Sequence, residues 1–372
     1  MNNIKKILVT GGAGFIGSHV VDKLIVSGYT VRVFDNLGPP THDGKIPDWL
    51  NKKAEFFLGD VRVKDDWRRA LVGMDAVIHL AAYMDYHLDF STYVRTNIES
   101  VALLFEVVLE DKLPIKKVIT ASSQSVYGEG KYRCPTHGEI YASARSDEQL
   151  SIHKWEQHCP QCNEVMLPIL ELEDDILQPK IPYGISKLAS ELLLINLGKR
   201  YDIPVVALRF SIALGPRQSF RHFYSGALRA FAVNVLNGEA ISMNEDGCQT
   251  RDFVNVKDVA EAHKIVLEDG HADFQSFNVG AGESTRVIDL ARLVSEEAGV
   301  EFNPLLSGRY RAGDARHSLM NISKLQALSW EPKYGLRSAV KEYLDWIKQF
   351  GNLKEILDNN YKKLEAEGIL KH

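Results

Sequence analysis

The segment TGGAGFIG (residues 10–17) decides the fold. It follows an apolar, β-branched run, IKKILVT (4–10), and opens an amphipathic stretch at about 15–27. That order predicts a strand, a glycine-rich turn and a helix. Gly11 permits the tight turn, Gly14 lets an anion approach the backbone, and Gly17 lets helix and strand pack closely. Phe15 and Ile16 begin the helix, whose N-terminus then faces a pyrophosphate. Asp35 follows 18 positions beyond Gly17 (35 − 17), at the end of the next candidate strand, TVRVFD (30–35). A carboxylate there, followed by Asn36, accepts hydrogen bonds from an adenosine ribose and repels a 2′-phosphate, which predicts NAD rather than NADP. Asp35, Asn36 and Gly38 would equally suit a strand-end turn.

Outward from this unit the rhythm repeats. Further candidate strands are AEFFLGD (54–60), DAVIHLA (75–81), KKVITAS (116–122) and IPVVALRF (203–210), separated by helical patterns at about 64–73, 91–112 and 184–201. Strands alternating with helices predict an α/β protein with a Rossmann-type, doubly wound parallel sheet. Such sheets bind ligands at the carboxyl ends of their strands. That places Asp60 and Val61 of GDV near an adenine, and Leu80, Ala81 and Ala82 of HLAA along the cofactor; close helix packing is the plainer role for the alanines. After residue 215 short strands and helices at about 256–268, 285–299 and 336–349 predict a smaller C-terminal lobe. The expected division is an NAD-binding domain over 1–210, with an insert at 129–182, and a lobe over 211–372 interleaved with the last sheet strands.

Composition narrows the class. The 372 residues carry 44 Lys+Arg against 49 Asp+Glu, a net charge of −5 without a basic block, which argues against a nucleic-acid surface. No apolar run reaches the roughly 18 residues that span a bilayer. The apolar stretch behind Lys5 and Lys6 is broken by Gly11, Gly12, Gly14 and Gly17, unlike a signal peptide. Four cysteines are too few for a disulfide scaffold at this length. A cytoplasmic enzyme or nucleotide-binding protein is the expectation.

Two further motifs carry chemistry. TASSQSVYG (120–128) ends the fifth strand and YGISK (183–187) opens a helix. Tyr183 and Lys187, four apart, share a helix face. An ammonium beside a nicotinamide cation lowers the phenol pKa and makes Tyr183 a usable base near neutral pH. Ser123 would hold the same substrate oxygen. Alone, Tyr-x-x-x-Lys is a common string; behind a dinucleotide loop it gains meaning.

With HLAA, SSQSVYG, YGISK, LRFSIALGPRQ (208–218), QTRDFVNVKDVAEA (249–262) and RAGD (311–314) alongside TGGAGFIG, the chain resembles an extended short-chain dehydrogenase/reductase of the nucleotide-sugar epimerase/dehydratase family. The likeness is greatest to its dTDP-L-rhamnose 4-epimerase and UDP-glucose 4-epimerase branch. The resemblance implies a catalytic triad of Ser123, Tyr183 and Lys187, with Asn97 in support near the cofactor. It implies that Arg217, Arg251 and Arg311 bind the sugar nucleotide, the last two gripping its diphosphate, a task that suits guanidinium forks. Salt bridges to Asp252, Asp258 or Asp314 are the plainer alternatives. It also implies a homodimer through the helices near 91–112 and 184–201.

Within the family, dehydratases carry Asp and Glu after the catalytic hydroxyl. Here Gln124 and Ser125 stand there, and neither transfers protons near neutral pH. The expected reaction is therefore NAD-dependent epimerisation at C4 of a nucleoside-diphosphate sugar through a transient keto sugar. A dehydratase or other sugar-nucleotide oxidoreductase is the alternative, and a non-catalytic NAD-binding sensor or scaffold is the alternative of another class. In RFSIALGPR (209–217) Ile212 and Leu214 replace a common Asn and aromatic, which implies a less polar sugar pocket.

The insert holds CPTH (134–137) and HCPQC (158–162), a Cys-x2-His followed 22 positions later (159 − 137) by Cys-x2-Cys. Cys134, His137, Cys159 and Cys162 form a candidate structural zinc site, a zinc-knuckle-like staple. His153 or His158 could replace His137, and Cys159 with Cys162 could instead be a redox pair. Both insert ends lie beside the site, so the insert is expected to flank the sugar pocket or meet a partner subunit. The insert and the tract RQSFRHFYSGALRAF (217–231) also resemble the rhamnose-epimerase branch.

Overall fold

The computed structural model describes residues 4–85, 89–221 and 226–371. β1 (Lys6–Thr10) turns through the glycines into α1 (Phe15–Val26), followed by β2 (Thr30–Asp35), β3 (Glu55–Leu58), α2 (Lys64–Leu71) and β4 (Ala76–His79). The next helix is not uniform. α3 (Phe90–Tyr93) runs through a π-helical stretch, Val94–Glu99, into α4 (Ser100–Glu110). β5 (Lys117–Ser123) leads to the insert, which forms β6 (Lys131–Cys134), β7 (Gly138–Tyr141), α5 (Asp147–Ser151) and β8 (Leu167–Pro168), a small antiparallel sheet of order β7-β6-β8. The chain returns through α6 (Pro182–Tyr201) and β9 (Val205–Phe210).

The second half supplies β10 (Ile212–Leu214), α7 (Gly226–Leu236), β11 (Ile241–Met243), β12 (Thr250–Arg251), β13 (Phe253–Asn255) and α8 (Val256–Glu268). Then come β14 (Gln275–Val279), β15 (Thr285–Arg286), α9 (Val287–Ala298), β16 (Pro304–Leu306), β17 (Tyr310–Arg311) and β18 (His317–Ser318). α10 (Ser323–Gln326), α11 (Leu336–Ile347), α12 (Leu353–Ala366) and β19 (Leu370–Lys371) end it.

Seven strands pair in parallel in the order β14-β9-β5-β4-β1-β2-β3. This is the Rossmann-type sheet expected, and its run-on apolar strands suit burial on both faces. Ile7, Val9, Val31 and Val33 face α1 and α8 on one side, while Leu8, Phe34, Val77 and Val118 join α2, α4 and α6 on the other. β14 comes from beyond residue 270, so the second half completes the sheet and the lobes interleave. A separate core built on α7, α9 and α11 includes Leu228, Phe231, Leu290, Val294, Tyr343 and Leu344. No helix among the described residues is long and apolar enough to cross a membrane.

Candidate active site

The glycine loop has the geometry its sequence requires. Gly11 lies at φ +65°, and its N–H donates to Phe34 O at 2.9 Å. A Cβ on Gly17 would sit 2.1 Å from Gly11 O, and one on Gly11 would sit 2.8 Å from Ala81 N. No larger residue fits without moving backbone. Asp35, buried at the end of β2, accepts from Ala13 N (3.1 Å) and Leu37 N (2.9 Å) on separate oxygens. Each oxygen keeps a lone pair, so the turn and ribose roles are compatible. Asp60 accepts from Arg62 Nη2 at 2.6 Å and Asn36 Nδ2 at 3.2 Å. Burial pushes its pKa up, but these donors outweigh it and hold the carboxyl below its ordinary value.

From this loop a cavity of about 860 Å³ runs across the strand ends into the second lobe, large by the roughly 300–1,000 Å³ of small-molecule sites. Gly11, Gly14, Phe15, Ile16 and Gly17 line one end with Asp35 and Asn36; Asp60, Val61, Leu80, Ala81 and Ala82 line the adjoining wall. The cradle fits a dinucleotide: bulk-free backbone, a helix N-terminus and an anchored carboxylate.

Ser123, Tyr183 and Lys187 line the same cavity. Tyr183 stands in the first turn of α6, directly after Pro182, where the helix dipole favours an anionic side chain. Lys187, one turn on and 4% exposed, donates to Ala121 O at 2.8 Å, and burial lowers its pKa to about 8. Ser123 Oγ accepts from Ser125 N (3.2 Å) and Ser125 Oγ (2.9 Å). Gln124 Oε1 accepts from Ser318 Oγ at 3.0 Å. The two dehydratase positions are thus neutral hydrogen-bonding groups. Ile212 and Leu214 also line the wall.

Arg251 and Arg311, from the second lobe, also line the cavity. Arg251 is oriented by backbone carbonyls, donating to Thr250 O (2.8 Å), Arg316 O (2.9 Å) and Ala315 O (2.7 Å); neither Asp252 nor Asp258 pairs with it. Arg311 pairs with Asp314 at 2.8 Å. Two expected residues lie elsewhere. Arg217, at φ +69°, turns away from the cavity to pair with Asp22 at 2.7 Å. Asn97, buried in the π-helical stretch, exchanges hydrogen bonds with the Tyr83 backbone (2.7 and 2.9 Å) and donates to Ser186 Oγ at 2.8 Å. It braces α6 rather than lining the cavity. In the tract 217–231, residues 222–225 lie outside the described residues.

Sequence reasoning missed the distal wall, where Asn360, Tyr361 and Leu364 of α12 and Leu370 of β19 close the cavity with Arg229 and Gln249. Nothing distinguishes an inward Asn360 from a solvated one in a polar helix. Gln249, two positions before Arg251, was the readable one.

In the insert, Cys134, His137, Cys159 and Cys162 offer ligand atoms all within 4.8 Å of one another. Cys134 Sγ lies 3.6 Å from His137 Nδ1 and 3.6 Å from Cys162 Sγ; Cys159 Sγ lies 3.4 Å from His137 Nδ1. Tetrahedral zinc–sulfur and zinc–nitrogen bonds give edges of roughly 3.5–3.8 Å, so the donor set fits that ion. His158 instead bonds Asn163 O at 2.9 Å, and His153 stacks on Trp155. His137 is the histidine of the cluster.

Comparison with known proteins agrees with this geometry. Residues 7–153 and 162–280 match the NAD dependent epimerase/dehydratase family. The chain is 31% identical to the dTDP-L-rhamnose 4-epimerase of Burkholderia thailandensis, over 93% of this chain and 95% of that protein. The UDP-glucose 4-epimerase of Thermotoga maritima, solved with UDP-glucose, superposes with a TM-score of 0.75 at 31% identity, covering 92% of this chain and 99% of that one. The UDP-glucose 4-epimerase of Thermus thermophilus, solved with NAD, gives 0.70 at 29% identity, with 92% and 99% covered.

Proposed function

The chain belongs to the NAD dependent epimerase/dehydratase family, and on that premise we propose that it is an NAD-dependent 4-epimerase of a nucleoside-diphosphate sugar. The observation that carries the reading is Ser123, Tyr183 and Lys187 on one cavity with neutral Gln124 and Ser125 beside them. NAD, when bound, supplies reversible hydride transfer at C4. Gly11, Gly14, Phe15, Ile16, Gly17, Asp35, Asn36, Asp60, Val61, Leu80, Ala81 and Ala82 would hold it, within a domain over 1–210. Tyr183 takes the proton of the C4 hydroxyl, its phenolate favoured by the N-terminus of α6 and the Lys187 ammonium. Ser123 hydrogen-bonds the same oxygen and holds the resulting keto sugar. Tyr183 returns the proton when the sugar presents its other face. Arg251 and Arg311, in the lobe over 211–372, hold the diphosphate.

The substrate reading follows the relatives' names: a deoxysugar nucleotide such as dTDP-L-rhamnose, which the apolar Ile212 and Leu214 suit, and next a UDP-hexose or UDP-uronic acid. We also assign a structural zinc to the insert cluster. No disulfide joins any of the four cysteines, which suits a reducing, cytoplasmic compartment. Phe90, Val94, Ile185 and Leu192 are each more than half exposed on α3, its π-helical extension and α6, which suits a homodimer through these helices.

Proton NMR in D2O with NAD and dTDP-L-rhamnose, UDP-glucose or UDP-glucuronate tests the reading. A C4 epimer without solvent deuterium supports it; deuterium uptake or water loss sinks it. Tyr183→Phe should keep NAD binding and lose turnover by about 10²-fold or more.

A further inference from the structure

The segment from Arg311 to Ser318 carries Arg311 and accepts the Arg251 guanidinium on its carbonyls, and the insert grips the same segment. Three successive carbonyls accept from two guanidinium groups. Asp314 O accepts from Arg145 Nη2 at 3.0 Å, Ala315 O from Arg251 Nη2 at 2.7 Å and Arg316 O from Arg251 Nη1 at 2.9 Å. Arg251 belongs to the cavity, Arg145 to the insert. Arg145 also binds both oxygens of Glu245 (3.0 and 2.9 Å), a carboxylate on the cavity wall.

Glu156 is the second grip. It lies three residues before Cys159 and takes the fully buried Arg316 side chain through Oε1, from Nη2 (2.6 Å) and Nε (3.0 Å). Its Oε2 meets His317 Nε2 at 3.1 Å. Glu245 and Asp246 complete the Arg316 shell, each at 2.8 Å from Nη1. The family match leaves out residues 154–161, so Glu156 is no part of the shared pattern.

We propose that the insert is a positioning element for the diphosphate clamp, acting through Glu156 and Arg145. These residues fix the 314–316 backbone, that backbone orients Arg251, and the strand leading into it presents Arg311. Ordering long side chains before the ligand arrives removes a cost otherwise charged to binding. The inference rests on the nucleotide-sugar reading above.

The test is isothermal calorimetry on full-length protein with UDP, dTDP and, separately, NAD. Glu156→Gln keeps shape and removes the charge. The Kd for whichever diphosphate the wild type binds should rise about tenfold, with NAD affinity and zinc content within twofold. KM for the nucleotide sugar should rise while kcat stays within twofold, a split that general loosening would not give, and Glu156→Asp should restore part of the affinity. If Glu156→Gln is too unstable to assay, Arg145→Lys, which cannot span Glu245 and Asp314 O together, should give the same split. Diphosphate affinity within twofold of wild type, or an equal loss of NAD affinity, overturns the proposal. Wild-type protein that binds NAD but neither UDP nor dTDP overturns the nucleotide-sugar reading itself, and the proposal with it.

Discussion

Lys187 has a pKa of about 8 because burial disfavours its ammonium. The unfolded chain holds that proton to about 10.5, so between about pH 8 and 10.5 unfolded chains bind more protons and stability rises with pH. Below pH 8 the buried charge costs on the order of 3 kcal/mol. Activity should run the other way. Above about pH 8 the ammonium proposed to support Tyr183 is lost, so kcat should fall on the alkaline side in a pH profile. At pH 7 Lys187→Met should melt no lower than wild type while losing turnover by about 10²-fold; a lower Tm with turnover kept would contradict both statements. That Ser123, Tyr183 and Lys187 share one cavity was legible because each stands in a local motif. Arg217 and Asn97 were not, for local reasons a motif does not carry: a left-handed backbone turns Arg217 toward Asp22, and a π-helical stretch aims Asn97 at the Tyr83 backbone and Ser186.

At the scale of elements, the β1–loop–α1 unit and the alternating strands could be read because their determinants are near in sequence. The insert could be recognised as a segment needing its own source of order, and the four side chains that cluster in it, Cys134, His137, Cys159 and Cys162, could be named. Its contacts could not, since Glu156 and Arg316 are 160 positions apart and only the folded chain joins them. The insert's own buried cluster is small: Tyr132, Cys134, Ala142, Cys159 and Met166. Two of those five are proposed metal ligands, so a bound ion and the core would be one structure. Removing zinc with a chelator, or Cys159→Ser, should therefore unfold the insert ahead of the sheet. Differential scanning calorimetry should show a new low-temperature transition, and elemental analysis of untreated protein about one zinc per chain. A metal-free preparation with an unchanged melt would remove the staple from the account.

For the whole molecule, the cavity is built by parts far apart in the chain, and its last wall comes from the C-terminus. α12 anchors in the second core through Leu353 and Leu357, and β19 pairs antiparallel with β17, placing Leu370 opposite Arg311. The strand that carries Arg311 is thus held on one edge by β19, while the insert grips the segment that follows it. Lys371 and Asp147 pair across to the insert, but both are exposed and such a pair contributes little. The main contribution of β19 is the strand pairing and the burial of Leu370 and Leu364. None of these contacts touches the glycine loop or Asp35, so the two ends of the cavity should separate energetically. Deleting residues 367–372 should raise KM for the nucleotide sugar several-fold and leave NAD affinity within twofold. Calorimetric titrations of NAD and of the nucleotide sugar against the truncated chain check this. Equal losses for both ligands would mean that the C-terminal strand supports the whole sheet rather than the clamp, a result its pairing with Arg311 alone would not produce.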